Sequence, residues 1–183
     1  LLPVGTVYDP FVCRGLDALI YGLYSGSRFV VVGTPAGITL APEGGAHQSS
    51  VTASVGIELP GVTFVEPAYG AALDWLLCDA LGRIAADPAG AEDAEGAYYF
   101  RLTTRPIDQS PFEAARARLG DDVLRAQALA GAYRLKDAHH DRPELRDEGA
   151  PVVHLAASGA VMPEVLEAAE ELAEEGVAAH VVD

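Results

Sequence analysis

The sequence has few basic residues and no long apolar stretch. It carries 12 Lys and Arg against 27 Asp and Glu, a formal net charge of −15 at pH 7 with His neutral. Nucleic acids and anionic membrane surfaces are polyanions, so neither is expected as a partner. No apolar run reaches the roughly 18 residues that a membrane-spanning helix needs, and the pattern of a signal peptide is absent. The acidity also fits simple solubility and names no partner by itself.

Cysteine is scarce, with Cys13 and Cys78 as its two occurrences. Their separation fits no metal-ligand spacing, and each lies in an apolar helical pattern, so we expect buried, reduced thiols and a cytoplasmic protein. The adjacent pair His139-His140 is a poor metal site, because neighbouring side chains on a flexible segment rarely converge on one ion. No metal ligand is therefore expected in this chain.

An initiator Met is also missing. The chain begins Leu1-Leu2-Pro3 and ends at Asp183, directly after a strand-like apolar run. A sheet edge is rarely left without a capping segment, so we expect a fragment of a longer polypeptide, cut at both ends.

Half of the residues are apolar, which is enough for a packed core. Short, unbroken apolar runs predict buried strands, and apolar residues at helical spacing between them predict helices. The alternation predicts an α/β fold with a mostly parallel sheet flanked by helices. The expected strands are 29–33, 62–65 and 98–103, and the expected helices are 11–24 and 69–86, followed by a loop from Pro88.

A second, partial α/β domain is expected further along the chain. Prolines interrupt the pattern after residue 105, and a short charged helix is predicted at 112–119. We therefore divide the chain into a first domain at 1–106, a linker at 107–127 and a second domain at 128–183. The second domain is predicted to contain strands at 132–135, 152–156 and 178–182, a loop at 139–143, and a helix from Pro163 to Gly176.

The segment 33–50 is the richest in residues that could carry chemistry. It follows a buried strand, and ligands in open α/β sheets bind beyond the carboxyl ends of strands. Its glycines permit close approach of backbone to a ligand, and His47 can exchange a proton near neutral pH. The alternative is a plain surface loop with an incidental His. The segment lacks the Lys-Ser/Thr ending of a phosphate-binding P-loop, and the chain lacks a Gly-x-Ser-x-Gly elbow, so an independent hydrolase is poorly supported.

The segment 2–11 is the second candidate. Tyr8 and Phe11 follow the end of an expected strand and could offer flat faces to an aromatic ring. The alternative is a pair of core aromatic residues at the start of a helix.

At these two segments the chain resembles the pyrimidine-binding domain of the transketolase superfamily. The run Glu43-Gly44-Gly45-Ala46-His47 resembles homodimeric pyruvate dehydrogenases more closely than transketolases, which usually carry Asp-Gly-x-Thr-His here. The segment around Ser158-Gly159 resembles the start of the superfamily's C-terminal domain. No single motif decides the resemblance, and it rests on the order and spacing of several, at residues 2–6, 31–37, 40–48, 66–69 and 98–104.

The resemblance implies part of a thiamine-diphosphate-dependent enzyme. Such an enzyme decarboxylates a 2-oxoacid, here pyruvate, and passes the acyl group to lipoyl groups of a partner acyltransferase. By the same resemblance His47 acts beside the thiazolium ring, and Tyr8 and Phe11 pack on the aminopyrimidine. Glu43, Gly44 and Gln48 would form the substrate loop. The alternatives are ketol transfer of the transketolase type and a non-catalytic α/β module for assembly or regulation.

The resemblance also has gaps. The family's Glu that protonates the aminopyrimidine lies upstream of the segment matching Leu1, and the Mg²⁺ and diphosphate ligands belong to an earlier domain. We therefore expect the Mg²⁺ ligands outside this chain, in a homodimer or on a complementary chain. The isolated chain is expected to be inactive, because the cofactor's exocyclic amine is not converted to its basic form without that Glu.

Overall fold

The computed structural model describes residues 1–86 and 96–183, with the side chains of Ala46 and Gln48 outside the described part. The loop expected from Pro88 therefore lies outside the described residues. The chain forms two compact units: residues 1–67 with 76–105, and residues 68–75 with 106–183.

The first unit is built on four parallel strands in the order β1-β2-β4-β3. The predicted mostly parallel sheet is confirmed, and β4 runs through its middle with every residue buried. Apolar residues at consecutive positions suit strands that are covered on both faces. The strands are β1 (Val4–Val7), β2 (Phe29–Gly33), β3 (Val62–Val65) and β4 (Ala97–Arg101).

Helices of the first unit differ in part from the prediction. The helix expected at 11–24 begins as a 3-10 helix, Asp9–Gly15, and becomes α-helical at Leu16, after Gly15. The helix α2 was not predicted, because its seven residues show little apolar periodicity. The α-helices are α1 (Leu16–Tyr24), α2 (Thr52–Glu58) and α3 (Gly70–Ala85), which contributes to both units, and the further 3-10 helices are Gly37–Glu43 and Gly45–Gln48.

The expectation of buried cysteines is wrong, since both side chains are exposed. Cys13 lies in the 3-10 helix Asp9–Gly15, where Asp9 and Val12 are the buried residues. Cys78 lies on α3, whose buried positions include Ala80 and Ile84. An apolar neighbourhood in sequence therefore did not decide which face of each helix is covered.

The second unit contains a three-stranded sheet in the order β5-β7-β6. β6 and β7 are parallel, with α8 between them in the chain, and β5 runs antiparallel to β7. Where a loop was expected at 139–143, the structure has two short helices, because the Asp137 side chain caps the first by accepting from two backbone N–H groups. The elements are α4 (Ser110–Leu119), α5 (Asp121–Leu129), β5 (Arg134–Lys136), α6 (Ala138–Asp141), α7 (Pro143–Asp147), β6 (Val152–Ala156), α8 (Met162–Glu174) and β7 (Ala178–Val182).

The segment 107–127, expected as a linker, belongs to the second unit. Its helices α4 and α5 bury Phe112 and Leu124 in the core of that unit. The ring of Phe112 lies 5.6 Å from the rings of Tyr69 and Trp75, and 5.7 Å from that of Tyr133. Burial of these side chains is what makes the segment part of a domain rather than a connection.

None of the helices in the described residues combines the length and apolar character needed to cross a membrane.

Candidate functional site

The two segments singled out in the sequence meet at one edge of the first sheet. β1 and β2 are parallel neighbours, and their last residues, Val7 and Gly33, are paired. The backbone N–H of Thr34 donates to the carbonyl of Val7 at 3.0 Å. Tyr8 follows β1 directly and the segment 34–50 follows β2, so both leave the sheet at its carboxyl edge, where ligands bind in folds of this kind.

Three aromatic side chains form an exposed cluster at this edge. The Tyr8 and Phe11 rings meet edge to face with centroids 5.3 Å apart, and the His47 ring lies 6.0 Å from each of them. The guanidinium of Arg14 covers the Phe11 ring at 4.8 Å from its centroid. The structure thus brings together the candidate catalytic residue and both candidate cofactor-binding residues, and leaves His47 exposed.

Glu43 links this cluster. The Tyr8 hydroxyl donates to Glu43 Oε2 at 2.5 Å, and His47 Nδ1 lies 4.0 Å from the same oxygen. The hydrogen bond to the Glu43 carboxylate raises the pKa of Tyr8 to about 12. The phenol therefore stays protonated at physiological pH and acts as a donor. We call Tyr8, Phe11, Glu43 and His47 the site cluster.

The turn between Glu43 and His47 depends on glycine. Gly44 and Gly45 have φ of 65° and 57°, in the left-handed region that favours glycine. The backbone N–H of His47 donates to the carbonyl of Gly44 at 3.3 Å. Gln48 ends the 3-10 helix, and its side chain lies outside what the structure describes.

A buried polar network lies beneath the site cluster, and Asp9 is its centre. Asp9 has no exposed surface. Its carboxylate accepts hydrogen bonds from the hydroxyls of Ser49 and Tyr99, and from that of Thr52 at 2.5 Å. Ser49 is the second residue after His47, so this network reaches the loop that carries the imidazole.

Arg101, at the end of β4, supplies the positive charge of the buried network. It is 6% exposed, with Nε 3.4 Å from Asp9 Oδ2 and Nη1 2.5 Å from Glu66 Oε1. Its Nη2 donates to the carbonyl of Ser49 at 2.7 Å. Burial raises the pKa of Glu66, against the opposing effect of the Arg101 charge. The network comprises Asp9, Ser49, Thr52, Glu66, Tyr99 and Arg101.

Sequence reasoning did not identify this network. Two signals could have found it. Arg101 ends an otherwise apolar strand, where a charge needs a buried partner. The last residue of β2 is Gly33, and this position has no room for a side chain. An added Cβ would overlap the carboxylate of Asp9 and lie 3.0 Å from the Tyr99 ring. Neither signal names the partner, since Asp9 and Arg101 are 92 positions apart.

An open cleft of about 420 Å³ lies in the same unit. Its lining comes from the segments that follow β2 and β4, which end at the carboxyl edge of the sheet. One lining residue, Arg105, is cationic. The lining residues are Ile38, Thr39, Pro42, Thr104 and Arg105.

Comparison with known proteins connects this geometry to a family. No family profile matches the chain. It is 31% identical over 160 residues to the 6-deoxy-6-sulfo-D-fructose transketolase subunit SqwH of Clostridium sp. (strain MSTE9), covering 87% of this chain and 39% of that protein. The chain therefore spans about two fifths of the length of this curated relative.

The fold is that of transketolases along the whole chain. Transketolase from Leishmania mexicana matches with a TM-score of 0.67 at 20% identity, covering 100% of this chain and 22% of that one. Transketolase from Campylobacter jejuni matches with a TM-score of 0.68 at 21% identity, covering 100% and 24%. In sequence and in fold the chain is thus similar to transketolases. The superfamily predicted from the sequence is confirmed, whereas the closer identification with pyruvate dehydrogenase finds no support among these relatives.

Transketolase-family relatives use thiamine diphosphate with a divalent metal ion, and they are multi-domain or subunit proteins that form dimers. The site cluster suits the aromatic part of that cofactor, because Tyr8 and Phe11 lie beside an exposed imidazole at a sheet edge. Within residues 1–86 and 96–183, no group of three His, Cys, Asp or Glu side chains is placed to hold a metal ion.

Proposed function

We propose that this chain supplies the pyrimidine-binding side of a thiamine-diphosphate enzyme that transfers a ketol unit between sugars. The observation that carries the proposal is the site cluster. Two aromatic rings and an exposed His, far apart in sequence, lie within 6.0 Å of one another at the carboxyl edge of a parallel sheet. The 31% identical relative is named a transketolase subunit, which favours ketol transfer over the decarboxylation expected from the resemblance.

Each residue of the site cluster has a part in this proposal. Thiamine diphosphate, when bound, supplies the carbon nucleophile. Tyr8 and Phe11 hold its aminopyrimidine by ring contacts. His47, exposed beside them, donates or accepts a proton at a substrate oxygen. Glu43 accepts the Tyr8 hydrogen bond and thereby keeps that ring in place.

The substrate class proposed is a sugar with an anionic end. The relative's name specifies a sulfonated fructose, and one of the solved transketolases is a complex with sedoheptulose-7-phosphate, at a TM-score of 0.69 and 20% identity, covering 98% of this chain and 22% of that one. Arg105 lines the cleft that follows β2 and β4. A guanidinium binds tetrahedral oxyanions well, because several N–H donors lie in one plane.

A second polypeptide segment must complete this site. We propose that the diphosphate and metal ligands come from a complementary chain or from the remainder of the parent protein. The relative is named a subunit, which fits a site shared between chains. The isolated chain is then expected to bind thiamine diphosphate weakly and to show no turnover.

The test is the His47→Ala variant of the parent protein, assembled with its partner, thiamine diphosphate and Mg²⁺. Turnover of a sulfonated or phosphorylated ketose with an aldehyde acceptor should fall by about 100-fold or more, while the thermal unfolding midpoint stays unchanged. The matched control is His140→Ala, an exposed His of the second unit, which should leave turnover intact. Unchanged turnover in His47→Ala would remove His47 from the mechanism.

Pyruvate dehydrogenation remains the second candidate, because Glu43-Gly44-Gly45-Ala46-His47 has the Glu-Gly-x-x-His form of that group. It requires a lipoyl acyltransferase as partner. Assaying the same assembled protein with pyruvate and a lipoyl domain separates the candidates. Acyl transfer to the lipoyl domain without ketol transfer would establish the dehydrogenase.

A further inference from the structure

Asp9 connects the two sides of the site cluster. In the chain it lies between Tyr8 and Phe11, on the 3-10 helix Asp9–Gly15 that carries Phe11. Its side chain turns inward, has no exposed surface, and accepts a hydrogen bond from the hydroxyl of Ser49. One buried carboxylate thus joins the segment of the aromatic pair to the segment of His47.

Ser49 is held in an unfavourable backbone conformation. Among the described residues it is the non-glycine residue with a positive φ, 56°. This conformation costs a Ser free energy and persists only where surrounding contacts offset that cost. Those surroundings are present on both sides of the residue. Its hydroxyl donates to Asp9, and its carbonyl accepts from Arg101 at 2.7 Å.

Arg101 gives this arrangement a fixed support. It ends β4, which pairs with β2 on one side and β3 on the other. Its guanidinium forms ion pairs with both Asp9, which is fully buried, and Glu66, which is partly buried. Since buried charges are costly unless paired and hydrogen-bonded, the geometry of all three groups is constrained together.

The imidazole of His47 is held far less tightly. Its side chain is 48% exposed, and its nearest polar contact is the 4.0 Å approach to Glu43. Among the described residues no hydrogen bond holds the ring. Its position opposite Tyr8 and Phe11 must therefore come from the backbone that leads to Ser49.

We propose that the hydrogen bond from Ser49 to Asp9, supported by Arg101, is the positioning device that sets His47 against Tyr8 and Phe11. Asp9 and Ser49 are positioning residues, because neither side chain reaches the exposed face of the site cluster. Their effect on turnover rests on the proposed function, whereas the effect on the placement of His47 does not.

The first test needs neither cofactor nor partner. In the isolated chain with isotope-labelled His, the His47 ring protons should show NOEs to the rings of Tyr8 and Phe11. Ser49→Ala, which removes a single hydroxyl, should abolish these NOEs and move the His47 shifts toward those of free imidazole, while the second-unit resonances stay unchanged. The matched control is Tyr99→Phe, which removes another donor to Asp9 and should keep the NOEs.

The second test uses the assembled enzyme. Ser49→Ala should lower kcat by about 10- to 100-fold, as small misplacements of reacting groups do, with a smaller change in KM. The double variant Ser49→Ala/His47→Ala should be no slower than His47→Ala alone, since the two act as one unit.

The outcomes separate the two proposals. Unchanged NOEs in Ser49→Ala overturn the positioning role, whatever the activity. NOEs lost in Ser49→Ala, together with an assembled protein that shows no thiamine-diphosphate turnover, support the positioning role and refute the proposed function. Asp9→Asn gives a second measurement of the same link, and if it does not fold, Ser49→Ala alone decides.

Discussion

The two units of the chain are stabilised in different ways. Beneath the site cluster the first unit buries an ion pair, with Asp9 fully buried and Arg101 6% exposed, beside the partly buried Glu66. The second unit instead buries an apolar cluster around Phe112, with Tyr69, Trp75 and Tyr133 beside it. The unit that carries the proposed chemistry therefore has a buried Arg–Asp ion pair beneath its site cluster.

Apolar burial and buried ion pairs contribute differently to stability and to the positioning of a loop. Apolar burial stabilises in proportion to the area removed from water and tolerates small shifts. A buried ion pair adds little net stability, because desolvation offsets the attraction, but it accepts few geometries. The buried network therefore suits a unit that must hold a loop in one place.

The largest expected effect comes from removing the charge of the first unit. Arg101→Met leaves Asp9 and Glu66 buried without their cation and should lower the free energy of unfolding by about 3–5 kcal/mol, measured by urea denaturation. Adding Asp9→Asn to this variant should restore part of the loss, because one uncompensated charge is removed. If the double variant is less stable still, charge is not the cause.

Phe112→Ala should produce a comparable but slightly smaller loss in the second unit. It removes the ring that contacts three others and leaves a cavity, at a cost of about 3 kcal/mol, since the neighbouring rings can close it only partly. Urea denaturation followed by Trp75 fluorescence reports on this core. Val123→Ala, at an exposed position of α5, is the control and should change stability little. A loss below that of the control would contradict the assignment of Phe112 to the core.

In the second unit, the buried side chain of His180 makes the free energy of unfolding depend on pH. His180 is 5% exposed and its Nδ1 accepts from the backbone N–H of Ala138 at 3.2 Å. Burial lowers its pKa below the usual 6.5, with the charges of Arg134, His139 and His154 acting in the same direction and Asp137 opposing them.

A lowered His pKa means that the unfolded chain binds the proton more readily. Stability should therefore be full above pH 6.5 and fall as the pH drops from 6.5 toward the folded-state pKa, by at most about 1.4 kcal/mol per pH unit. His180→Asn, which keeps an acceptor for Ala138, should remove this dependence. Asp183 titrates in the same pH range, since burial raises its pKa to about 6. The quantity to measure is therefore the difference in free energy of unfolding between the unmodified protein and His180→Asn at each pH. If this difference in free energy of unfolding stays constant across about pH 5–7, His180 is not the cause of the pH dependence.

The smallest expected effect is at the exposed site cluster. Glu43→Gln removes the carboxylate that raises the pKa of Tyr8, so that pKa should fall from about 12 toward its ordinary value of 10. An alkaline NMR titration of labelled tyrosine, assigned with Tyr8→Phe, measures it. Glu58→Gln is the control. A Tyr8 pKa that stays near 12 in Glu43→Gln would show that the hydrogen bond is not its cause.

Much of the first unit could be read from local pattern. The strands 29–33, 62–65 and 98–103 were placed within about two residues, because buried parallel strands are continuous apolar runs. The helix predicted at 112–119 matches α4, whereas α2 and α5 were not predicted, and the segment that holds α4 and α5 was expected to be a linker. Their apolar residues are few, and what they bury depends on partners distant in sequence.

The residues of the site cluster could be proposed from the sequence, since they lie in segments that follow strands and match a family pattern. The distances between these residues could not be predicted from the sequence, and the buried network could not be predicted either. Asp9, Ser49 and Arg101 each look ordinary in their own segment, and their roles exist because three chain segments meet.

By itself, the sequence determined the alternation of strands and helices, the acidic surface and the chemical groups offered at the sheet edge, because these depend on residue type and spacing. The tertiary structure decided which charges are buried, which cysteines are exposed and which side chain holds the His47 loop. Those outcomes depend on long-range contacts between residues up to 92 positions apart, and local periodicity carries no information about them.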